Sequence, residues 1–155
     1  MQNKDIDLSD LLKKKYIELN LKEKKKIALI NELAELVVKS CGIKDRKSIF
    51  KAILEREKLG STAIGKGVAL PHIKIKNVKK PLLIFARSKE GVDFDSLDGE
   101  KTYLFFMLVS PQQNVGIHLK ILAKISHLIK DKFVIEWLKK AETKEQVLKI
   151  ISDFK

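Results

Sequence analysis

The chain of 155 residues carries three histidines, His72, His118 and His127, and histidine suits reversible group transfer near neutral pH. Its ordinary pKa of about 6.5 leaves a neutral, nucleophilic nitrogen available, and a phosphorus–nitrogen bond formed there is easily broken again. His72 directly follows Pro71 at the end of a short apolar segment, and strand ends are where α/β folds bind ligands. This position favours a phosphoryl group held briefly on His72; the alternative is an ordinary loop histidine.

His118 lies on the apolar stripe of a predicted helix over residues 115–130, so it faces the body of the protein. It follows a predicted strand and the loop 111–116, which places it near a helix start, where anions are attracted. We expect the two imidazoles to converge on one site; the alternative is a core histidine with satisfied hydrogen bonds. His127 lies half a turn away round the same helix and is interpreted as a surface residue.

Arg56 lies at the end of a second predicted helix, just before a glycine-rich loop. A guanidinium is permanently charged, and its forked donors match the oxygens of a phosphate. This chemistry favours a phosphate-binding role for Arg56. The alternative is a surface ion pair with Glu55 or Glu57.

The loop over 60–67 combines hydroxyls and glycines in a way that suits an anion. Ser61 and Thr62 can donate hydroxyl hydrogen bonds, and Gly65 and Gly67 let the backbone come close to a ligand. We expect many backbone N–H groups of this loop to be free for a phosphoryl group. The loop lacks the Gly-x-x-x-x-Gly-Lys-Ser/Thr nucleotide cradle, and the sequence has no metal-ligand spacing, so neither a cofactor nor a metal ion is expected.

The elements that position these residues follow from apolar patterning, which predicts a single domain over residues 1–155. Helices fall on both sides of a block of strands, and the continuous apolar runs indicate strands that are covered on both faces. This order predicts an α/β fold, a three-layer α/β/α sandwich with a mixed sheet. The predicted elements are strand 16–19, helices 20–41 and 45–58, strands 68–70, 82–86 and 103–109, helices 115–130 and 133–139, and a last helix from 143.

Local signals predict where several of these elements begin and end. Capping boxes at 20–23 and 143–146 start two helices, and Gly42 ends the first helix. Pro71 forces Leu70 to stay extended, so the chain enters His72 from a β conformation.

The formal net charge of +12 invites a nucleic-acid interpretation. The lysines are spread over most segments, and no aromatic side chains interleave with the clusters at 13–15, 24–26 and 79–80, as stacking on single strands requires. We therefore expect solvated lysine-rich faces and no nucleic-acid partner. A nucleic-acid-binding protein would instead show steeply salt-dependent binding to DNA.

Composition favours a globular, cytoplasmic protein, since apolar residues make up 45% of the chain. The lone Cys41 can form no internal disulfide, suits a reducing compartment and is expected to be a small buried hydrophobe. Residues 1–10 lack the apolar core of a signal peptide. The longest apolar run, Leu104–Val109, is too short to span a membrane, so no membrane insertion is expected.

Three stretches taken together give the chain a family resemblance. They are REKLGSTAIGKGVALPH at 56–72, FDSLDG at 94–99 and HLKILA at 118–123. In order and spacing they resemble the enzyme IIA proteins of the phosphoenolpyruvate-dependent phosphotransferase system, in the fructose/mannitol and nitrogen-regulatory group. The resemblance covers nearly the whole chain; Ala63 and Ile73 stand where that family often has glycine or another small residue.

The resemblance implies a phosphohistidine relay protein built on a mixed sheet between helical layers. It implies that His72 accepts phosphate from the phosphocarrier HPr or its nitrogen-branch relative, that Arg56 steadies the phosphoryl group, and that His118 is a hydrogen-bonding partner. The phosphate would then pass to a sugar-specific IIB domain or act as a regulatory signal. The alternative is a purely regulatory, nitrogen-type protein with no role in sugar transport, and the stretches 59–62 and 92–95 are closer to that branch.

We expect the docking surface for these partner proteins to be apolar and to surround His72, formed by Ile64, Val68, Leu70 and Ile73. The docking face of HPr tends to carry basic residues. Because this chain is itself strongly basic, the resemblance requires a neutral or acidic patch around His72.

Overall fold

The fold is built on a six-stranded mixed sheet with helices before and after its strands. The computed structural model describes residues 6–154. Two single-turn 3-10 helices, Leu8–Asp10 and Lys14–Tyr16, come first within that range. The elements that follow in chain order are β1 (Ile17–Glu18), α1 (Lys26–Cys41), α2 (Arg46–Lys58), β2 (Ala63–Gly65), β3 (Val68–Ala69), β4 (His72–Ile75), β5 (Leu82–Val92), β6 (Thr102–Pro111), α3 (Val115–Ile129), α4 (Lys132–Lys140) and α5 (Lys144–Asp153).

The strand order is β1-β5-β6-β3-β2, and β4 pairs with β6 as well. β5 runs antiparallel to β6, whereas β3 and β4 both run parallel to it. β3 pairs with the first half of β6, with Val68 opposite Leu104, and β4 pairs with the second half, with His72 opposite Leu108. The two short strands therefore follow β6 as one interrupted strand, and Pro71, which has no N–H to give to the sheet, lies at the interruption.

The centre of the sheet is covered on both faces. Every side chain from Leu104 to Val109 in β6 and from Leu83 to Ala86 in β5 is fully buried. Helix α1 packs on β5, while α3 and α4 pack on β6. The prediction of a three-layer α/β/α sandwich with a mixed sheet is therefore confirmed, because strands of this kind need cover from both sides.

The structure contains two strands that the patterning does not predict, β2 and β4. β2 forms a hairpin with β3 inside the predicted glycine loop, and β4 begins at His72 itself. β5 and β6 also extend beyond the predicted 82–86 and 103–109, since their pairing continues as far as Val92 opposite Thr102. Strand length here is set by pairing with distant residues, which apolar patterning along the chain cannot show.

The predicted capping box at 20–23 is wrong, because α1 begins only at Lys26. Leu21 is buried, and its N–H bonds the carbonyl oxygen of Arg87 at 2.9 Å, which keeps this part of the chain extended. The two backbone N–H groups that follow donate to the carboxylate of Glu32, from inside α1. A long-range contact therefore takes the donors that a local cap would have used.

Two other helix ends agree with the prediction. Gly42 follows α1 with a φ of 69°, the left-handed conformation that glycine tolerates best. Thr143 caps α5 by accepting the N–H of Gln146, although the Gln146 side chain reaches back to Glu142 rather than to Thr143 itself. None of the helices in the described part of the chain is long and apolar enough to cross a membrane.

Two apolar side chains of α1 are not fully buried. Ile27 is 55% exposed, because it lies in the first turn of the helix. Cys41, at the other end of α1, is only partly buried, although the sequence predicts a buried residue. This partial burial raises the pKa of its thiol to about 11.

Candidate functional site

The main chain fixes the ring of His72, the first residue of β4. Its Nδ1 lies 2.8 Å from the carbonyl oxygen of Leu70, and because a carbonyl can only accept, Nδ1 carries the hydrogen. Pro71 keeps Leu70 extended, which presents this carbonyl to a ring two residues later. Nε2 is therefore the nitrogen with a lone pair and can act as a nucleophile.

Arg56 reaches from the last turn of α2 to that second nitrogen. Its Nε donates to Nε2 of His72 at 3.2 Å, and its Nη1 donates to the carbonyl oxygen of Gly60 at 3.0 Å. The Gly60 bond holds the plane of the guanidinium in place. A permanent cation is thus fixed directly beside the nucleophilic nitrogen.

His118 lies in the first turn of α3, and its ring packs against that of His72. The ring centroids are 5.4 Å apart, with the planes inclined by 56°. Only 3% of His118 is exposed, and its Nδ1 lies 2.7 Å from Oγ of Ser110, near the end of β6. The structure therefore brings together Arg56, His72 and His118, as the sequence predicts, and leaves His127 exposed to solvent.

Burial and neighbouring cations favour the neutral form of both rings. Burial lowers the pKa of His72, and the charges of Arg56 and Lys74 lower it further, against the opposing effect of the bond to Leu70. Burial lowers the pKa of His118 to about 4, with added contributions from His72 and Lys74. At neutral pH both rings are therefore uncharged, the form in which a ring nitrogen has a lone pair.

The charge around His72 differs from the expected neutral or acidic patch. The charged side chains that act on the ring are Arg56, Lys74 and Glu57. Two of the three are cations, and the carboxylate of Glu57 is buried and hydrogen-bonded to Thr62. That expectation is therefore wrong for the immediate surroundings of the ring, where basic groups predominate.

The hydroxyls of the predicted phosphate loop are already bonded within the protein. The N–H of Thr62 donates to the carboxylate of Glu57 at 3.0 Å, and its hydroxyl donates to the same carboxylate at 2.5 Å. The hydroxyl of Ser61 donates to the carbonyl oxygen of Phe94 at 2.9 Å and accepts the N–H of Ala63 at 3.1 Å. The expectation of free donors at Ser61 and Thr62 is therefore wrong, because these groups hold the segment in place.

Gly65 and Gly67 shape the turn between β2 and β3. Lys66 and Gly67 have φ values of 58° and 79°, the pair of positive angles that a two-residue type I′ hairpin turn requires. A Cβ on Gly65 would lie 3.0 Å from the carboxylate of Asp98, and one on Gly67 would lie 3.2 Å from the ring of Tyr103. The close approach predicted for these glycines is thus made by the protein itself, and Asp98 also accepts the N–H of Lys66 at 2.9 Å.

Three of the four residues predicted for a docking surface are buried. Val68, Leu70 and Ile73 are 1%, 7% and 5% exposed, since they lie on the interrupted strand within the core, whereas Ile64 is 42% exposed. The prediction is therefore wrong for the three buried residues. Other apolar side chains are exposed next to the site residues in the chain or in the loops around them: Leu59, Leu97, Val115 and Leu119.

Sequence reasoning missed three polar residues of this region. Glu57 pairs with Lys26 at 3.0 Å, instead of forming the ion pair considered for Arg56, and Ser110 bonds the ring of His118. Glu57 had one local signal, its place beside Arg56 in the chain. Lys26 and Ser110 had none, because only the tertiary fold brings them to their partners.

No group of three or more His, Cys, Asp or Glu side chains in residues 6–154 is arranged to hold a metal ion. The groups that the site does present are two imidazoles and a guanidinium. A neutral ring nitrogen can bond to phosphorus directly, and a guanidinium can neutralise the oxygens of a phosphoryl group.

The chain matches the family described as phosphoenolpyruvate-dependent sugar phosphotransferase system, EIIA 2, over residues 10–154. It is 37% identical over 145 residues to the PTS system fructose-specific EIIABC component of Bacillus subtilis. The aligned residues make up 94% of this chain but only 23% of that protein's length. It is 34% identical over 145 residues to the nitrogen regulatory protein of Bradyrhizobium diazoefficiens, which is 94% of each chain.

Solved structures with the same fold come from both kinds of relative. The nitrogen regulatory protein IIA-Ntr of Neisseria meningitidis has a TM-score of 0.86 and 32% identity, with 92% of this chain and 97% of that chain covered. Enzyme IIAMTL of Escherichia coli, in a complex with phosphorylated enzyme IIBMTL, has a TM-score of 0.77 and 25% identity, with 92% and 98% covered.

Proposed function

Because the chain belongs to the EIIA 2 family of the phosphoenolpyruvate-dependent sugar phosphotransferase system, we propose that it is a phosphohistidine carrier that acts in the cytoplasm. His72 accepts a phosphoryl group from an HPr-like phosphocarrier protein. It passes the group to a IIB domain, or keeps it as a regulatory signal. In this proposal the nucleophile and the groups that stabilise charge are all supplied by the protein itself.

The observation that carries this proposal is the fixed tautomer of His72. The bond from Nδ1 to Leu70 leaves the lone pair on Nε2, and Arg56 lies beside that nitrogen. Burial and the neighbouring cations keep the ring in its neutral form by lowering its pKa. Orientation, protonation state and charge neutralisation are thus all in place before a donor binds.

In the proposed transfer, the Nε2 lone pair of His72 attacks the phosphorus of a phosphohistidine on the donor. The phosphorus–nitrogen bond of the donor breaks as the new bond to Nε2 forms, and the electron pair returns to the donor ring. The hydrogen on Nδ1 stays hydrogen-bonded to the carbonyl oxygen of Leu70, and this hydrogen bond stabilises the positive charge that develops on the ring. Arg56 releases Nε2 and meets the equatorial phosphoryl oxygens, where the transition state carries its negative charge.

His118 completes the site as a second hydrogen-bond donor. The Ser110 hydroxyl can donate to Nδ1 or accept from it; in the proposed arrangement it donates, so that Nε2 of His118 carries the ring hydrogen and gives it to a phosphoryl oxygen. The 5.4 Å separation of the two ring centroids supports this role, because a phosphoryl group bound to His72 comes within reach of the neighbouring ring.

Exposed apolar side chains around the paired histidines supply a docking surface for the partner proteins. Leu59 follows the helix that carries Arg56, and Leu119 follows His118 in the chain. Both are well exposed, as are Leu97, in the loop after β5, and Val115, the first residue of α3. Phosphocarriers exchange partners rapidly, and a small apolar patch with a polar surround is typical of such transient contacts.

A second candidate function is purely regulatory, in which the phosphorylation state of His72 selects a target protein and no sugar is involved. Its support is the TM-score of 0.86 to the nitrogen regulatory protein of Neisseria meningitidis. Adding a IIB domain to the phosphorylated chain distinguishes the two, since transfer to that domain favours the relay and stable retention favours regulation.

The test of the carrier function is phosphorylation of the purified chain with phosphoenolpyruvate, enzyme I and HPr. We expect one adduct that is labile in acid and stable in alkali, as a phosphohistidine is. His72→Ala should abolish it, whereas His127→Ala, which removes an exposed histidine outside the site, should label normally. Normal labelling of His72→Ala overturns the assignment.

In the same assay Arg56→Ala should slow transfer by roughly tenfold to a hundredfold, since a charge-assisted hydrogen bond contributes about 1.5–3 kcal/mol. Lys51→Ala is the matched control, because it removes an exposed cation from the same helix. Equal rates for the two variants would show that Arg56 does not act on the transferred group.

A further inference from the structure

We infer that Glu57, with Lys26 as its counter-ion, is a positioning residue that holds His72 in its reactive tautomer and Arg56 beside it. The role in catalysis rests on the proposed function of His72. The structural part of the inference, control of the His72 tautomer, stands on the contacts alone.

The carboxylate of Glu57 is buried, with only 4% of its side chain exposed. It accepts the N–H of Thr62 through both oxygens, at 3.0 and 3.1 Å, and the Thr62 hydroxyl at 2.5 Å. The ammonium of Lys26 lies 3.0 Å from its second oxygen. A buried carboxylate with this many partners fixes the position of Thr62 closely, because each lost bond would leave a buried charge unsatisfied.

A continuous path of hydrogen bonds leads from Thr62 to the ring of His72. The carbonyl oxygen of Thr62 accepts the N–H of Leu70 at 2.9 Å. The carbonyl oxygen of Leu70 in turn accepts the hydrogen of Nδ1 of His72 at 2.8 Å. Glu57 therefore holds one end of the path whose other end decides which nitrogen of His72 has the lone pair.

A second, shorter path leads from Glu57 to Arg56. The carbonyl oxygen of Glu57 accepts the N–H of Gly60 at 3.2 Å, and the carbonyl oxygen of Gly60 accepts Nη1 of Arg56 at 3.0 Å. Gly60 therefore links Glu57 to Arg56 at the end of α2, and Glu57 is in turn hydrogen-bonded to Thr62. Glu57 thus supports both groups that contact the ring of His72: the Leu70 carbonyl at Nδ1 through its carboxylate, and Arg56 at Nε2 through its main-chain carbonyl.

Lys26 lies at a helix N-terminus, where a cation is electrostatically unfavourable unless other groups stabilise it. It is the first residue of α1, and the partial positive charge at a helix N-terminus disfavours a cation there. Its ammonium contacts Glu57 and Asp95, both at 3.0 Å, and lies 4.8 Å from the ring centroid of Phe94. These contacts account for its position, and they join α1 and the loop after β5 to the end of α2.

The test compares Glu57→Gln with Glu55→Gln, which removes an exposed carboxylate from the same helix. The first readout is the ring nitrogen spectrum of His72, which reports the tautomer without any phosphoryl donor. The second is kcat and KM for phosphoryl transfer from HPr. We expect Glu57→Gln to raise the fraction of the Nε2–H tautomer and to lower kcat about tenfold to a hundredfold with little change in KM, while Glu55→Gln changes neither.

Lys26→Met is the second variant, chosen because it leaves Glu57 in place and alters a partly exposed residue at a helix start. It should shift the tautomer in the same direction, and Lys26→Arg should restore it. A folded Glu57→Gln or Lys26→Met protein with the wild-type ring spectrum overturns the inference, whatever happens to the rate. If the wild-type chain takes no phosphate from HPr, the proposed function fails, and the ring spectra still decide the positioning role.

Discussion

At the scale of single residues, the two histidines of the site are distinguished by what each ring nitrogen contacts. The Nδ1–H of His72 donates to a carbonyl oxygen, a group that can only accept. Nδ1 of His118 instead contacts the hydroxyl of Ser110, a group that can donate or accept. His72 is also the less buried of the two. The first ring is therefore fixed and partly accessible, as the proposed acceptor of a phosphoryl group must be, whereas the second is buried beside it.

The burial of His118 predicts a pH dependence of stability. Its pKa is about 4 in the folded protein and about 6.5 when unfolded, so below pH 6.5 the unfolded chain binds a proton that the folded chain does not. The contribution of His118 to the free energy of unfolding is therefore fully present above pH 6.5. As the pH falls towards 4, about 3 kcal/mol of this contribution is lost.

This dependence is measured by urea unfolding from pH 7 to pH 4, with His118→Asn as the comparison, since its amide can hydrogen-bond Ser110 in place of the imidazole but does not gain a proton in this range. We expect the free energy of unfolding of the wild-type protein to fall by about 3 kcal/mol more than that of the variant over this range. Parallel curves for the two proteins would contradict the prediction.

At the scale of elements, the hairpin of β2 and β3 shows how one glycine-rich segment serves structure. Its spacing of glycines suits a phosphate loop, but its turn packs on Tyr103 and its donors are bonded within the protein. What the hairpin contributes to the site is the path through Thr62 and Leu70 to His72. The hairpin thus orients the ring of His72 and presents no free hydroxyl of Ser61 or Thr62 to a ligand.

The hairpin turn predicts a difference between two glycine variants. Gly67→Ala and Gly99→Ala both place a side chain at a positive φ, 79° and 74°, which costs about 1–2 kcal/mol. Only at Gly67 would the new Cβ also meet another group, the ring of Tyr103 at 3.2 Å, whereas the space at Gly99 is open. Urea midpoints should show that Gly67→Ala is the less stable; an equal or smaller loss would mean that Tyr103 moves aside freely.

At the scale of the whole molecule, one buried side chain ties the sheet to its surroundings. Arg87 in β5 is 4% exposed, and its Nε donates to the carbonyl oxygen of Leu19 at 3.2 Å. Its Nη1 donates to the carbonyl oxygens of Leu138, Lys139 and Ala141, at the end of α4. A cation suits this place, because the carbonyls at a helix C-terminus carry a partial negative charge.

Replacing Arg87 by Met should therefore destabilise the whole fold. Several buried carbonyls would lose their donor, and we expect a loss of about 3 kcal/mol or more in the free energy of unfolding. Lys89→Met, an exposed position on the same strand, should change it by less than about 0.5 kcal/mol. The measurement is urea unfolding at pH 7, and similar midpoints for the two variants would contradict the role given to Arg87.

The sequence by itself determined the features whose causes lie within a few residues of each other. Gly42 and Thr143 mark helix ends, the run Leu104–Val109 marks a strand covered on both faces, and the proline before His72 sets the backbone that enters it. Arg56, His72 and His118, which meet at the candidate site, were also singled out from the sequence, because their residue types and their places at helix and strand ends are local facts.

Only the tertiary structure decided which nitrogen of His72 has the lone pair, what Arg56 binds, and that the glycine loop is a hairpin. The false helix start at 20–23 has the same origin, since distant groups take the donors that a local cap would use. Glu57 lies beside Arg56 in the sequence, yet its ion-pair partner, Lys26, reaches it from another helix. Hydrogen bonds and ion pairs between distant segments have no period and no spacing along the chain, so they can be found only once the chain has folded.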